Sequence, residues 1–286
     1  MKKIMIFTIL FILLINGFSQ EEGKYNRFRH SREEYIEIGR DMFDSYKDID
    51  CDDIEVRVSK NLDISTYYSD TSSFESKREA MHSLGHTNCP EVIDFYVDIL
   101  NNDTSTVMRN DALLYLGWLR AKSSIPSLLE AAKQNNDISF VNRIAITLCV
   151  MEEFDRAASI LDKVCFNGDG SVAKECIIAY AYAGRDELVK NYYLSEWEKN
   201  NNEDSKFHIA LKLTEYGVYD ITFSVIKEAL NSTHTYKRVS ALYGLAAIAT
   251  EEALELIHIC TSDKDIVVSN TSKSILTSLK EERRYK

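Results

Sequence analysis

Two histidines and a cysteine in the stretch HSLGHTNC have the spacing of a metal site. His82 and His86 stand four residues apart, so on a helix both rings face one way, and Cys89 would add a third donor. Gly85 and the Thr87-Asn88 pair instead put the helix end near His86 and aim Cys89 elsewhere. The favoured reading is two exposed histidines and a packed cysteine, and no metal is assigned. The acids of DIDCDDIE, Asp48 to Glu55, raise calcium next. Counted as an EF-hand loop from Asp48, they put Asp53 where glycine is needed and Ser59 where glutamate should bind. A loop counted from Asn167 fails at the same places, with Val172 and Ile178. Solvated loops, at most a weak surface cation site, are expected at both.

Nucleophilic chemistry finds no support either. The chain has no Gly-x-Ser-x-Gly, no phosphate loop, and no cysteine with a nearby histidine in an active-site context. No catalytic residue and no cofactor are assigned. The aromatic residues are more suggestive. Tyr192, Tyr193 and Trp197 fall on one helical stretch, with Tyr216 and Tyr219 beyond it. Tyr and Trp are common interface anchors, so the first three are the candidate binding residues. The competing reading has them filling core space, since tyrosine also suits a half-buried helix surface.

Such residues need elements to hold them, and the first question is what part of the chain folds. MKKIMIFTILFILLINGFSQ has a basic start, an apolar run from Ile4 to Ile15, and small residues at Gly17 and Ser19. That is the pattern of a secretory signal peptide over residues 1–19. The apolar run is shorter than the ~20 residues that span a bilayer. The expectation is an exported chain, periplasmic or secreted, with no membrane insertion after cleavage. Removing Lys2 and Lys3 leaves 32 basic against 45 acidic residues, a charge of −13. So acidic a chain lacks the Lys and Arg surplus that holds phosphate backbones, which argues against nucleic acid. Six cysteines in an exported chain raise disulfides. Cys165 and Cys176 flank FNGDGS and could face each other across a helix hairpin, but mostly free, buried thiols are favoured.

With only two prolines and ten glycines, the chain lacks the turns of an all-β fold. It repeats instead. KREAMHSLG, RNDALLYLG and RVSALYGLA share the form basic-x-x-Ala-x-x-x-Leu-small. Anchored on the alanine, the columns fall at Ala80, Ala112, Ala145, Cys176, Ile209, Ala241 and Lys273. Arg109, Ala112 and Leu116 form one stripe of a helix. The alanine permits close approach of a neighbouring helix, and the small residue after the leucine relaxes packing at the helix end. A second amphipathic stretch follows each of the first six copies, from PEVIDFYVDIL to EEALELIHIC. A polar spacer such as NNDTS or KQNND closes each unit. No single pair can cover its apolar face, so stacked pairs share one continuous core.

The residues Arg109, Ala112, Leu116 and Gly117, then Ile125-Pro126 and Leu128-Leu129, resemble the HEAT-repeat family, particularly the short HEAT-like repeats of bilin lyases. Arg238, Ala241 and Leu245 repeat the first half. The middle copies, ECIIAYAYAGRDEL and LTEYGVYDITFSVIKEAL, drift towards tetratricopeptide repeats. The resemblance implies an all-α, right-handed α-solenoid of about six helix pairs plus a terminal helix, over residues 74–286. Residues 20–73 are expected to form an N-terminal cap region. Some HEAT-like proteins are metal hydroxylases marked by recurring His-Glu pairs; none of the six histidines here precedes a glutamate, so that branch is excluded. What remains is an exported, non-enzymatic scaffold for a protein or peptide, its second helices lining the concave face. The alternative is an enzyme or accessory subunit related to HEAT-like lyases.

Overall fold

The computed structural model describes residues 49–166 and 171–284, with Arg40 and Asp44. The expected signal peptide, the capping box Ser31–Glu34 and most of the helical face Tyr35, Ile38, Met42 and Tyr46 lie outside the described residues.

The described residues form an all-α solenoid. A leading helix, α1 (Ile54–Tyr68), is followed by the pairs α2 (Phe74–Leu84) with α3 (Pro90–Asn102) and α4 (Thr106–Trp118) with α5 (Ile125–Gln134). Then come α6 (Ile138–Val150) with α7 (Phe154–Val164), and α8 (Ile177–Tyr182) with α9 (Asp186–Lys199). The array ends with α10 (Glu203–Glu215) and α11 (Phe223–Ala229), α12 (Thr235–Ile248) and α13 (Glu251–Ile259), and the terminal α14 (Ile266–Arg284). The only β pairing among the described residues is a single bridge between Phe166 and Val172.

The polar spacers start the first helices. Ser105 accepts a hydrogen bond from the Met108 amide, Asp137 from Ser139, Asn202 from Ser205, and Asp265 from Val267. Each side chain satisfies an amide that the helix cannot, a gain of about 1 kcal/mol per cap. The other end of the first helices also repeats. Arg120, Glu152, Gly184, Gly217 and Ala249 all have positive φ, at spacings of 32, 32, 33 and 32 residues. A left-handed residue turns the chain from first helix to second in five successive units, although only two of the five are glycine.

On each first helix and on the terminal α14 a buried small residue recurs in one column: Ala80, Ala112, Ala145, Ala179, Ala210, Ala241 and Ser272. This corrects three anchor columns. Ile209 is half-buried and Lys273 exposed, and Cys176 is buried but sits in a 3-10 turn ahead of α8. The basic residue of the phrase reaches along the array. The Arg109 guanidinium lies 4.8 Å from the Phe140 ring, and Arg238 Nη2 stands 3.2 Å from Asp265. Arg78 pairs with Asp111 at 2.6 Å and Lys237 with Asp204 at 2.8 Å, each joining consecutive first helices.

The core differs from the single continuous seam expected. One buried cluster runs from Tyr67 to Val189, and a second from Phe207 to Ile275. The joint falls at α9, whose only fully buried residue is Val189. The shortest helices of the array, α8 and α11, belong to the two units that meet there, so the degenerate middle copies offer too little apolar face to carry the seam through.

Candidate functional site

The proposed metal donors do not converge. His82 and His86 do lie together, ring centroids 5.5 Å apart, but His82 Nδ1 is 3.0 Å from the Tyr115 hydroxyl. Burial, and then the nearby His82, hold the His86 imidazole below its usual pKa. Cys89 is bonded to Cys51, Cα atoms 5.7 Å apart, so its sulfur has no lone thiolate to give a metal. Among the described residues no group of three His, Cys, Asp or Glu side chains could hold a metal ion. The acids after Ile49 serve the fold: Asp53 accepts from the Glu55 and Val56 amides at the start of α1, and Asp50 from the Asp52 amide.

The expectation of mostly free thiols is corrected. Cys165 and Cys176 are bridged, with Cα atoms 6.0 Å apart, and Cys51–Cys89 is a second bridge. Cys149 and Cys260 remain thiols. The repeat columns could not reveal the second bridge because Cys51 precedes the array and has no counterpart in any unit.

Tyr192, Tyr193 and Trp197 all lie half-buried on α9, at the joint between the two cores. Tyr192 and Tyr193 meet edge to face, centroids 5.4 Å apart, and pack against the first core. Trp197 packs against the second, with Lys206 Nζ 5.4 Å from its ring. Burial, and then the Glu196 carboxylate, push the Tyr192 phenol up to about 12. The three residues thus occupy one helix but not one surface pocket.

A pocket lies elsewhere on the second-helix layer. Between α5 and α7 runs a cleft of about 410 Å³ with an apolar floor of Leu129, Ala132, Ile160 and Val164. Lys133, Arg156 and Lys163 line its rim, with Asp155, Ser159, Asn135 and Asn136. Lys133 and Arg156 pair with Glu130 and Glu153 one turn away on their own side, at 3.2 and 3.3 Å; Lys133, Arg156 and Glu130 are exposed and Glu153 is half-buried. Such pairs exchange readily with water or another anion. Sequence reading missed this cleft, although the signal was there: Arg156 and Lys163 are seven residues apart, on one face of an amphipathic helix in an acidic chain.

A second hollow, of about 530 Å³, opens at the neighbouring turns and is lined by Glu152, Glu153, Asp155, Arg156 and Arg185. Its charges largely answer one another. Glu152 receives Arg120 at 2.9 Å and Arg40 at 2.6 Å, and the Arg120 hydrogen bond above all holds its carboxyl below the usual range. Arg40 therefore ties the chain ahead of α1 to the turn of the third pair, while Cys51 ties it to the turn of the first.

No family model matches the chain, and no curated relative does. Among solved structures it is similar to the complex of CpcE and CpcF of phycocyanin lyase from Nostoc sp. PCC7120, with 14% identity and a TM-score of 0.39. That alignment covers 90% of this chain and 99% of the other. It is also similar to human deoxyhypusine hydroxylase, at 14% identity and a TM-score of 0.26, covering 85% of this chain and 96% of that one. No helix among the described residues is long and apolar enough to cross a membrane.

Proposed function

We propose that this protein is an exported, non-enzymatic scaffold that holds a protein or peptide along its second-helix layer. The observation that carries the reading is the cleft between α5 and α7. Its floor is apolar, its rim polar, and its lining comes from two neighbouring second helices and the Asn135-Asn136 loop. Open grooves on the helix layers of a solenoid are where such folds take extended chains. Export is supported by two disulfides, since such bonds persist in oxidising compartments. On this reading residues 20–73 act as the N-terminal cap region, and α9 with Tyr192, Tyr193 and Trp197 offers a second contact on the same layer.

A photo-crosslinking amino acid at Ser159 tests the reading, with Lys273 on the exposed face of α14 as control. In the native compartment the Ser159 probe should give a reproducible protein or peptide adduct that the Lys273 probe does not. Equal adducts from both positions, or a small-molecule turnover lost on mutating the cleft, would overturn it.

A further inference from the structure

Three cations on one cleft are out of character for this molecule. Lysine and arginine total 34 against 45 acids, yet the rim between α5 and α7 carries Lys133, Arg156 and Lys163 against a single lining acid, Asp155. Lys163 has no carboxylate partner among the described residues, and the other two cations, both exposed, hold only same-side pairs one turn away. Below the rim the floor is apolar, with Ile160 and Ala132 buried and Leu129 and Val164 half-buried. From Asp155 to Val164 the wall runs about 14 Å at the helical rise per residue. About four extended residues span that length.

Resting on the scaffold reading above, we propose that this cleft takes an extended acidic peptide of about four residues, one apolar side chain on the floor and flanking carboxylates on the rim. The apolar anchor meets Leu129, Ala132, Ile160 and Val164. The carboxylates meet Lys163 first, because it gives up no existing pair, and then Lys133 and Arg156 in exchange for Glu130 and Glu153. Asn135 and Asn136 stand at one end of the groove to bond the peptide backbone. Charge complementarity selects this occupant. The molecule as a whole repels an acidic chain, so attraction needs a rim such as this one, where cations outnumber the lining acids.

Binding is read by fluorescence anisotropy on the full mature protein with its disulfides intact. Three labelled hexapeptides serve as probes: one alternating Asp-Glu pairs with Leu, one with Ser in place of Leu, and one with Lys in place of the acids. The acidic leucine peptide should bind best, with the other two at least about tenfold weaker. The double variant Lys133→Glu, Lys163→Glu should lose about tenfold or more in affinity. A control of equal charge change, Lys264→Glu with Lys273→Glu, should bind nearly as the parent does. Equal loss in both variants would reduce the effect to bulk charge and overturn the proposal. So would equal binding of the three peptides, displacement by dodecanoate in preference to the peptide, or self-association through the cleft. If the Ser159 probe captures a partner while the peptides do not discriminate, the scaffold stands and the acidic assignment falls. If neither occurs, both fall.

Discussion

At the scale of single residues, the small position that closes the repeated phrase does different work in each unit. A Cβ on Gly85 would fall 2.4 Å from Tyr115 Cδ1, on a buried ring whose hydroxyl meets His82. The ring cannot retreat without breaking that contact, so Gly85→Ala should destabilise the first unit by about 1–3 kcal/mol. At Gly117 the added carbon meets nothing nearer than 3.6 Å, so Gly117→Ala should be neutral or stabilise slightly, by up to about 1 kcal/mol. Urea midpoints of the two variants check the pair, and equal effects would mean that backbone entropy, not the Tyr115 ring, explains the glycine. The left-handed column offers the reverse test. Ala249 holds φ 53°, where a Cβ crowds the following carbonyl, and it ends α12. Ala249→Gly should therefore stabilise, by about 1 kcal/mol. A loss of stability there would show that the alanine methyl contributes more by contact than it costs by conformation.

At the scale of elements, the leading helix relies on specific fastenings as well as on packing. Ile54, Val58 and Leu62 of α1 are 72%, 63% and 63% exposed, and its fully buried residues are Lys60 and Tyr67. Cys51–Cys89, the Lys60–Glu91 pair at 3.0 Å, and the hydrogen bond from the Tyr67 hydroxyl to Asp103 hold it to α3 and its flanking loops. Replacing Cys51 and Cys89 with serine should cost about 2–4 kcal/mol. It should also open α1 to trypsin at Arg57 and Lys60. Replacing Cys165 and Cys176 should leave α1 protected, so limited proteolysis separates local fastening from general loss of stability. The contrast also marks what could be read in advance. Helix pairs were legible because burial repeats with the stack: Ala80, Ala112, Ala145 and Ala241 all fell in their columns. The Cys51 bridge was not, because a contact made once leaves no period. The left-handed turns were hidden for a different reason, since Arg120 and Glu152 stand where glycine would have signalled the conformation. The basic face of α7 could be read from its spacing, but the cleft could not, because only the adjacency of α5 and α7 brings Lys133 to Arg156 and Lys163.

At the scale of the whole molecule, the interrupted core sets how the chain unfolds. In a solenoid each unit is stabilised mainly by its neighbours, so cooperativity passes through every interface in turn. Here the interface at α9 is weak: half-buried Tyr192 and Tyr193 face one core and Trp197 the other, with little fully buried apolar surface between. The first core is the larger and holds both disulfides, while the second has neither. The second core should therefore melt first and separately. The two tryptophans make this measurable, because Trp118 is buried in the first core and Trp197 packs on the second. In the Trp197→Phe variant, Trp118 fluorescence reports the first core without disturbing it. Far-UV circular dichroism of the same variant should then show helix loss at urea concentrations where Trp118 has not yet responded, and reduction of the disulfides should bring the two curves together. Superimposed transitions under non-reducing conditions would mean that the half-buried aromatics of α9 couple the cores fully. In that case Tyr192, Tyr193 and Trp197 would have to be read as core-filling residues and not as a contact surface, because side chains that transmit cooperativity across the joint cannot also be given to a partner without loosening the array.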